Sequence, residues 1–436
     1  MKRSRLISDK LIIALEFVFF LLLLISASSL LQSCEDKCET VTSYIMMEPV
    51  YKTTEEVRNG FGIKEPHPIE SSGKIYVFGE YLLVNEPGNG IHIIRNADCN
   101  PIPVSFIAIP GNFDMAVKDY ILYADSYVDL LAIDISNLPE ITLIKRLENA
   151  FPNYNYEWGV GYGGIDNLIV THFEEKEIVD IQTDCNNRAN FWERNVLFIG
   201  SCVNCSAPQL AGNTPSGVGG SMARFAVSGE NLYAVDFNSL RVFDISTQTD
   251  PQAGNVVEIG WGIETIFPYK DNLFIGSNSG MFIFDNSDPT SPYLKSQFKH
   301  VRTCDPVVVD DRYAYVTLRS GSECEGFTNQ LDVLDIADLS NPFLLKTYPM
   351  QNPHGLSIDG DILFITEGDF GMKVFNAADR NDIDNHLLDA ITNVHGFDVI
   401  AFNQKAILIG EDGLYIYNYS DPTNLETCGF ISVGEK

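Results

Sequence analysis

Residues 129–136 read DLLAIDIS, an apolar run that stops on an aspartate. Residues 240–246 read LRVFDIS and residues 331–336 read LDVLDI. Aligning the chain on this phrase gives eight copies: IHIIRN ending near Arg95, LLAIDI at Asp134, KEIVDI at Asp180, LRVFDI at Asp244, MFIFDN at Asp285, LDVLDI at Asp335, MKVFNA at Asn376 and LYIYNY at Asn418. Successive spacings are 39, 46, 64, 41, 50, 41 and 42 residues. All but the 64 lie near the period of a four-stranded propeller blade. The 64 marks an insertion in the third copy.

Each copy has a second strand ten to twenty residues upstream, among them YLLVNE, YILYADS, NLIVTHF and NLYAVDF. A further strand precedes that one (DMAVKD, RFAVSG, GLSIDG), and a fourth follows the phrase (ITLIKRL, PFLLKTY). Turn residues such as NSDPTSP and ADLSNP separate the third strand from the fourth. The Asp or Asn that ends the third strand is placed to accept a backbone amide two residues on, as an Asx-turn does. Four short strands per copy, rich in β-branched and aromatic residues, make an all-β radial repeat. The reading is an eight-bladed β-propeller over residues 72–433, with seven blades as the alternative if the first or third copy is incomplete.

These copies resemble the LVIVD repeat family, named for the same strand phrase. LLAID, LRVFD and LDVLD match it, while IHIIR and LYIYN drift at the aspartate. The resemblance implies propeller architecture in secreted or surface bacterial proteins, and no defined reaction.

The N-terminus supplies an address. Lys2, Arg3, Arg5 and Lys10 precede an apolar stretch at residues 11–31, which LQSC follows, ending at Cys34. The stretch is long enough to span a bilayer. Small residues before the cysteine, and no basic stop-transfer cluster after it, favour a cleaved signal peptide over residues 1–33. LQSC resembles the bacterial lipobox, which implies lipidation of Cys34 and an anchor of several acyl chains. The acidic residues after Cys34 resemble a surface-export signal of some Gram-negative lipoproteins. The expected location is therefore the outer membrane or cell surface, with the membrane as a partner through the lipid. Residues 34–71, rich in charge, Gly and Pro, read as an N-terminal tether. Within it SYIMMEPVY, 43–51, reads as a strand packed on the ring.

The full chain has a net charge of −30. Removing residues 1–33 leaves 25 basic and 57 acidic residues, a net −32. Such a surface repels phosphate backbones, so nucleic acid is excluded as a partner. Of nine cysteines, eight remain beside Cys34, an even number suited to an oxidising compartment. Cys304 and Cys324 flank the first two strands of the sixth copy, which places both on one propeller face and predicts a disulfide. Cys428 in the last blade pairs with Cys99 or Cys38 where the ring closes. CVNC at 202–205 reads as structural rather than redox-active.

The sequence carries no cofactor motif, no zincin spacing among its seven histidines, no G-x-S-x-G elbow and no P-loop. Asp310–Asp311 and the pair Asp285 and Asp288 read as turn aspartates rather than calcium ligands, and the glycine-rich WGVGYGG and SGVGGSMARF as tight turns approaching the channel. No metal site is expected. Aligning the innermost strands puts Glu264, Asp305, His354 and Asp398 at their starts in consecutive units, with Asp114 and Arg224 within one position of the same place. These starts share one face of a propeller channel. The expectation is a solvated mouth, where Arg224 and a charged His354 offset the carboxylates and a cation or sugar hydroxyls could bind. The leading functional reading is a surface-anchored binding or scaffold module with a protein or glycan ligand. The alternative is a carbohydrate-active enzyme using channel-face carboxylates. The anchor is tested directly by Cys34→Ala, which abolishes lipidation and shifts the protein out of the detergent phase. A mutant that partitions like the wild type returns the uncleaved-helix reading.

Overall fold

The computed structural model describes residue 18 and residues 40–97, 99–152, 167–182, 218–236, 238–299, 306–319 and 328–434. Cys34, Cys38, Cys304, Cys324, Asp305 and the CVNC and WGVGYGG stretches lie outside them. The chain divides into two compact units, Met1–Pro49 with Phe173–Val196, and Val50–His172 with Leu197–Lys436. Among the described residues of the first unit, Ser43 donates to Glu177 (2.7 Å) and Lys176 pairs with Glu48 (2.6 Å) across two strands.

The second unit holds seven blades, at residues 75–108, 115–147, 225–258, 263–299, 307–349, 356–391 and 396–432. Each is a four-stranded antiparallel meander, and blade 1 carries an extra short strand on each edge. The innermost strands contact one another in blade order, and that of blade 7 meets that of blade 1, so the ring closes. Seven blades replace the eight expected, and the third copy is the reason. NLIVTHF and KEIVDI belong to one strand, Leu168–Gln182, paired with Thr40–Thr53. Between the two phrases stand only Glu174 and Glu175, with no turn residue. The corresponding place in blade 1 has Pro87, Gly88, Asn89 and Gly90. Without a reversal the phrase cannot form a hairpin. SYIMMEPVY is a strand as expected, but its partner is this inserted strand.

The repeated phrase is the third strand of each blade. Leu130, Leu131, Ala132 and Ile133 are fully buried, as are Leu331, Val333 and Leu334. A blade sandwiched between two neighbours buries both faces, so its middle strands are continuously apolar rather than alternating. The outermost strands, such as Gln252–Glu258, are mostly exposed. In blades 3 to 7 the pairing of the third strand with the fourth carries a register shift, for example between Val333 and Leu334. Bulges of this kind add twist at an edge and blunt it against strand addition.

The terminal residue turns the chain in six blades, as aspartate in four and asparagine in two. Asp134 accepts the Ser136 amide, Asp244 that of Ser246, Asp285 that of Ser287 and Asp335 that of Ala337, while Asn376 and Asn418 accept those of Ala378 and Ser420, all at 2.8–3.0 Å. Ser136 and Ser246, by side chain and then amide, hold Asp134 and Asp244 below the usual carboxylate range; at Asp285 the Lys295 ammonium is the largest cause and at Asp335 the Arg312 guanidinium. Glycine opens the same strand in blades 4 and 6. Gly280 (φ +142°) and Gly371 (φ +83°) lie where a Cβ would stand 2.1 and 1.8 Å from the carbonyls of Phe298 and Ile391. Tyrosines on second strands tie blades together: buried Tyr123 donates to Gln248 O and buried Tyr233 to Pro289 O, each 2.9 Å away in the next blade.

Residues 54–71, expected within a tether, are built into the ring unit. Thr53 and Glu56 form a capping box on a short helix, Thr54–Asn59. Its Arg58 binds Asp129 of blade 2 (2.8 and 3.0 Å). Gly62–Lys64 pairs with the outer strand of blade 1, and Ile69 bridges to Val433 beyond blade 7. At the same seam Cys99 and Cys428 form a disulfide between the first and last blades. Of the two partners left open for Cys428, the structure selects Cys99. In the chain-entropy model, covalent closure of so long a loop restricts the unfolded chain by about 5–6 kcal/mol.

Candidate functional site

The starts of the innermost strands converge at one end of the channel axis. Asp114, Glu264, His354 and Asp398 are all buried there, Asp398 to 1 % exposure. The expected solvated mouth is therefore corrected. The cause is the chain itself. Val218–Gly219 pairs antiparallel with the inner strand of blade 1, and the residues after it cross the axis on the way to blade 3. Ser221 gives its hydroxyl (2.9 Å) and amide (3.3 Å) to Asp398 of blade 7, and accepts the Leu356 amide of blade 6 (2.8 Å). Ala223 O accepts the Ile266 amide of blade 4 (2.9 Å). The Arg224 amide binds Asp114 of blade 2 (2.5 Å). SGVGGSMARF was expected to turn near the channel; residues 221–224 instead fill this end of it.

Lys74, a residue outside the expected set, offsets one of these charges. Lys74 neutralises Asp114, at 2.6 Å. Arg224 Nε donates to Val235 O. His354 does not offset a carboxylate. Burial, with the Arg319 guanidinium 2.6 Å from Nδ1, pushes it down to about 3, so it is neutral. At Gly355 an added Cβ would lie 2.1 Å from Asp398 Oδ1, which shows how closely the chain packs there. Asp398 Oδ2 is buried without a protein partner.

Among the described residues, the other end of the axis is open. Turns between the first and second strands surround a cavity of about 1390 Å3. Its wall includes Phe78, Tyr81, Tyr120, Phe267, Tyr269, Tyr313 and Phe402, and Val218 of the crossing segment also lines it. Tyr120 is 47 % exposed and sits at φ +67° after Asp119 at φ +47°. A bulky residue in this left-handed region is strained, and here the strain directs a ring to the rim. The Phe78 ring meets it edge-on at 5.2 Å. Arg380 anchors the polar part of the wall, with Nη2 2.9 Å from Asp310 and Nη1 2.7 Å from Asp361. Burial alone would lower its proton affinity; these two carboxylates raise it overall. Asp310 also accepts the Arg312 and Tyr313 amides (2.9 and 2.8 Å), and Asp288 the Thr290 amide (3.1 Å), the local bonds of turn aspartates. Asp311 binds Lys270 and the Tyr269 hydroxyl.

Closed at one end by its own chain and cupped at the other, the ring unit is a seven-bladed β-propeller with an axial cavity. The LVIVD repeat family matches residues 114–148, 219–256, 269–300 and 302–349, which fall on blades 2 to 5. Among solved structures the chain is similar to the periplasmic gluconolactonase of Pseudomonas aeruginosa (10 % identity, 83 % of this chain and 96 % of that one, TM-score 0.51). It also resembles a functionally unknown protein from Desulfotomaculum acetoxidans (11 %, 84 % and 100 %, TM-score 0.47). A third is Saccharomyces cerevisiae Sqt1 (8 %, 85 % and 87 %, TM-score 0.48). At these identities the likeness concerns the fold alone. No curated protein matches the chain.

The sequence reading missed the cavity residues because it aligned only strand starts. The paired turn residues Asp119–Tyr120 and Asn403–Gln404, all at positive φ without glycine, were the available signal. It also passed over the cluster of His67 on the N-terminal arm with Glu86 and His92 on blade 1.

The buried acids generate a pH dependence. Burial pushes Asp398 up to about 7, against the opposing pull of Ser221, the Val399 amide and Lys74. Asp125 is also raised to about 7, again chiefly by burial. An acid whose native value exceeds its unfolded value binds its proton more tightly when folded. Stability is therefore greatest below about pH 4 for these groups and declines as pH rises to about 7. Denaturant unfolding at pH 5, 6, 7 and 8 should show this decline, and Asp398→Asn should flatten it. An unchanged slope in the variant would mean that Asp398 is ionised throughout.

Proposed function

We propose that this protein is a lipid-anchored surface module whose propeller binds a hydroxyl-rich ligand, a glycan, in the axial cavity. The observation that carries the reading is the cavity itself: aromatic rings at a strained rim over charged groups. Flat rings suit the C–H faces of sugars, and Asp361, Asp311 and Arg380 offer acceptors and donors for hydroxyls. The N-terminal sequence through Cys34 supports the anchor and an outer-membrane or cell-surface location. A carbohydrate-active enzyme built on the other channel end has less support, because Asp114 and Asp398 there are engaged by residues 221–224 and Lys74.

Full-length protein in detergent, probed on a glycan array, should retain a defined set of glycans. Tyr120→Ala should weaken the best of them about tenfold, as expected for one lost ring contact. Exposure of Tyr120 leaves the fold unaffected. Retention of no glycan, or equal retention by Tyr120→Ala, would contradict the proposal.

A further inference from the structure

We propose that His67, Glu86 and His92 bind one divalent transition-metal ion, zinc by ligand chemistry, which clamps the N-terminal arm to blade 1. One ligand atom from each residue lies within 4.8 Å of the other two. Two imidazoles and a carboxylate are a set that zinc takes with an open fourth position, at bond lengths of about 2.0–2.2 Å. Small side-chain adjustments would bring three atoms so placed onto one ion.

The backbone explains the convergence. Glu86 and His92 flank a hairpin turn, with Glu86 opposite Gly90 and Val84 opposite His92. They are diagonal neighbours on one face of the pair, the reach at which long side chains meet. His92 Nε2 stands 2.9 Å from Glu86 Oε2, and both residues are buried. His67 arrives from the arm, between Pro66 and Pro68, which restrict its backbone to extended conformations. The arm is pinned on both sides of it, by Gly62–Lys64 on blade 1 and by Ile69 at Val433.

Hydrogen bonding and packing orient the ligands. His67 Nδ1 lies 2.9 Å from Pro68 O, a pure acceptor, so Nδ1 carries the proton and Nε2 keeps its lone pair. Carbonyls fix metal-binding histidines in this way. Phe106 packs on both imidazoles, at 4.4 and 4.6 Å, and walls one side with apolar surface. On binding, the ion replaces the proton shared by His92 Nε2 and Glu86, which passes to solvent.

The test is calorimetric titration of chelator-stripped full-length protein with Zn2+, paired with Co2+ absorption and hydrogen exchange. One equivalent of Zn2+ should bind, Co2+ should give the intense visible bands of a tetrahedral site, and residues 62–72 should exchange more slowly. His67→Ala and Glu86→Gln should each weaken binding by about 100-fold or more, while His395→Ala leaves it intact. If Glu86→Gln does not fold, His67→Ala on the half-buried arm carries the test alone. Absence of binding by the wild type, or binding that His67→Ala leaves unchanged, overturns the proposal.

Discussion

Everything in the ring unit depends on one constraint: a four-stranded blade has two apolar faces and cannot bury either alone. Each blade must be sandwiched, so the first must also meet the last. That is why the middle strands are buried on both sides, and why the turn between third and fourth strands has to be reliable. The short carboxylate-to-amide bond at Asp134, Asp244, Asp285 and Asp335 supplies that reliability without help from neighbouring blades. Tyr123 and Tyr233 then carry a hydroxyl across to the following blade, where a backbone carbonyl awaits it. A buried hydroxyl left unpaired would cost about 1–3 kcal/mol, so these bonds also specify which blade packs on which.

Closing a ring leaves an axis to fill. Here the long excursion between blades 2 and 3 returns through it. Ser221 and Arg224 give amides to carboxylates of blades 7 and 2, so one end of the channel is organised as a miniature core. The same crossing segment contributes Val218 to the cavity at the opposite end. The insertion that obscured the repeat count is thus the element that makes the two channel ends different.

Much of this was legible in the sequence, and the reasons for the rest are physical. The strand phrase and its Asx-turn are local, so they could be read from spacing alone. The blade count failed at KEIVDI, where a strand-like pattern was present but the reversal was not. The channel residues were placed at the correct end of the inner strands, but their burial depends on a segment far away in sequence, which no local pattern reports. Disulfide partners were narrowed to Cys99 or Cys38 and no further, because ring closure brings distant segments together by geometry rather than spacing. His67, Glu86 and His92 escaped notice for a related reason. Helical spacing was the search pattern for histidine clusters, whereas a hairpin and an arm assemble this one.

The central claim is that the chain's own segment fills one end of the axis. Amide hydrogen exchange at Ser221 and Arg224 tests it most directly, since both amides point at buried carboxylates. The account predicts protection approaching that of the blade cores, lost only on global unfolding. Exchange at the rate of an exposed loop would place residues 221–224 outside the channel and contradict it.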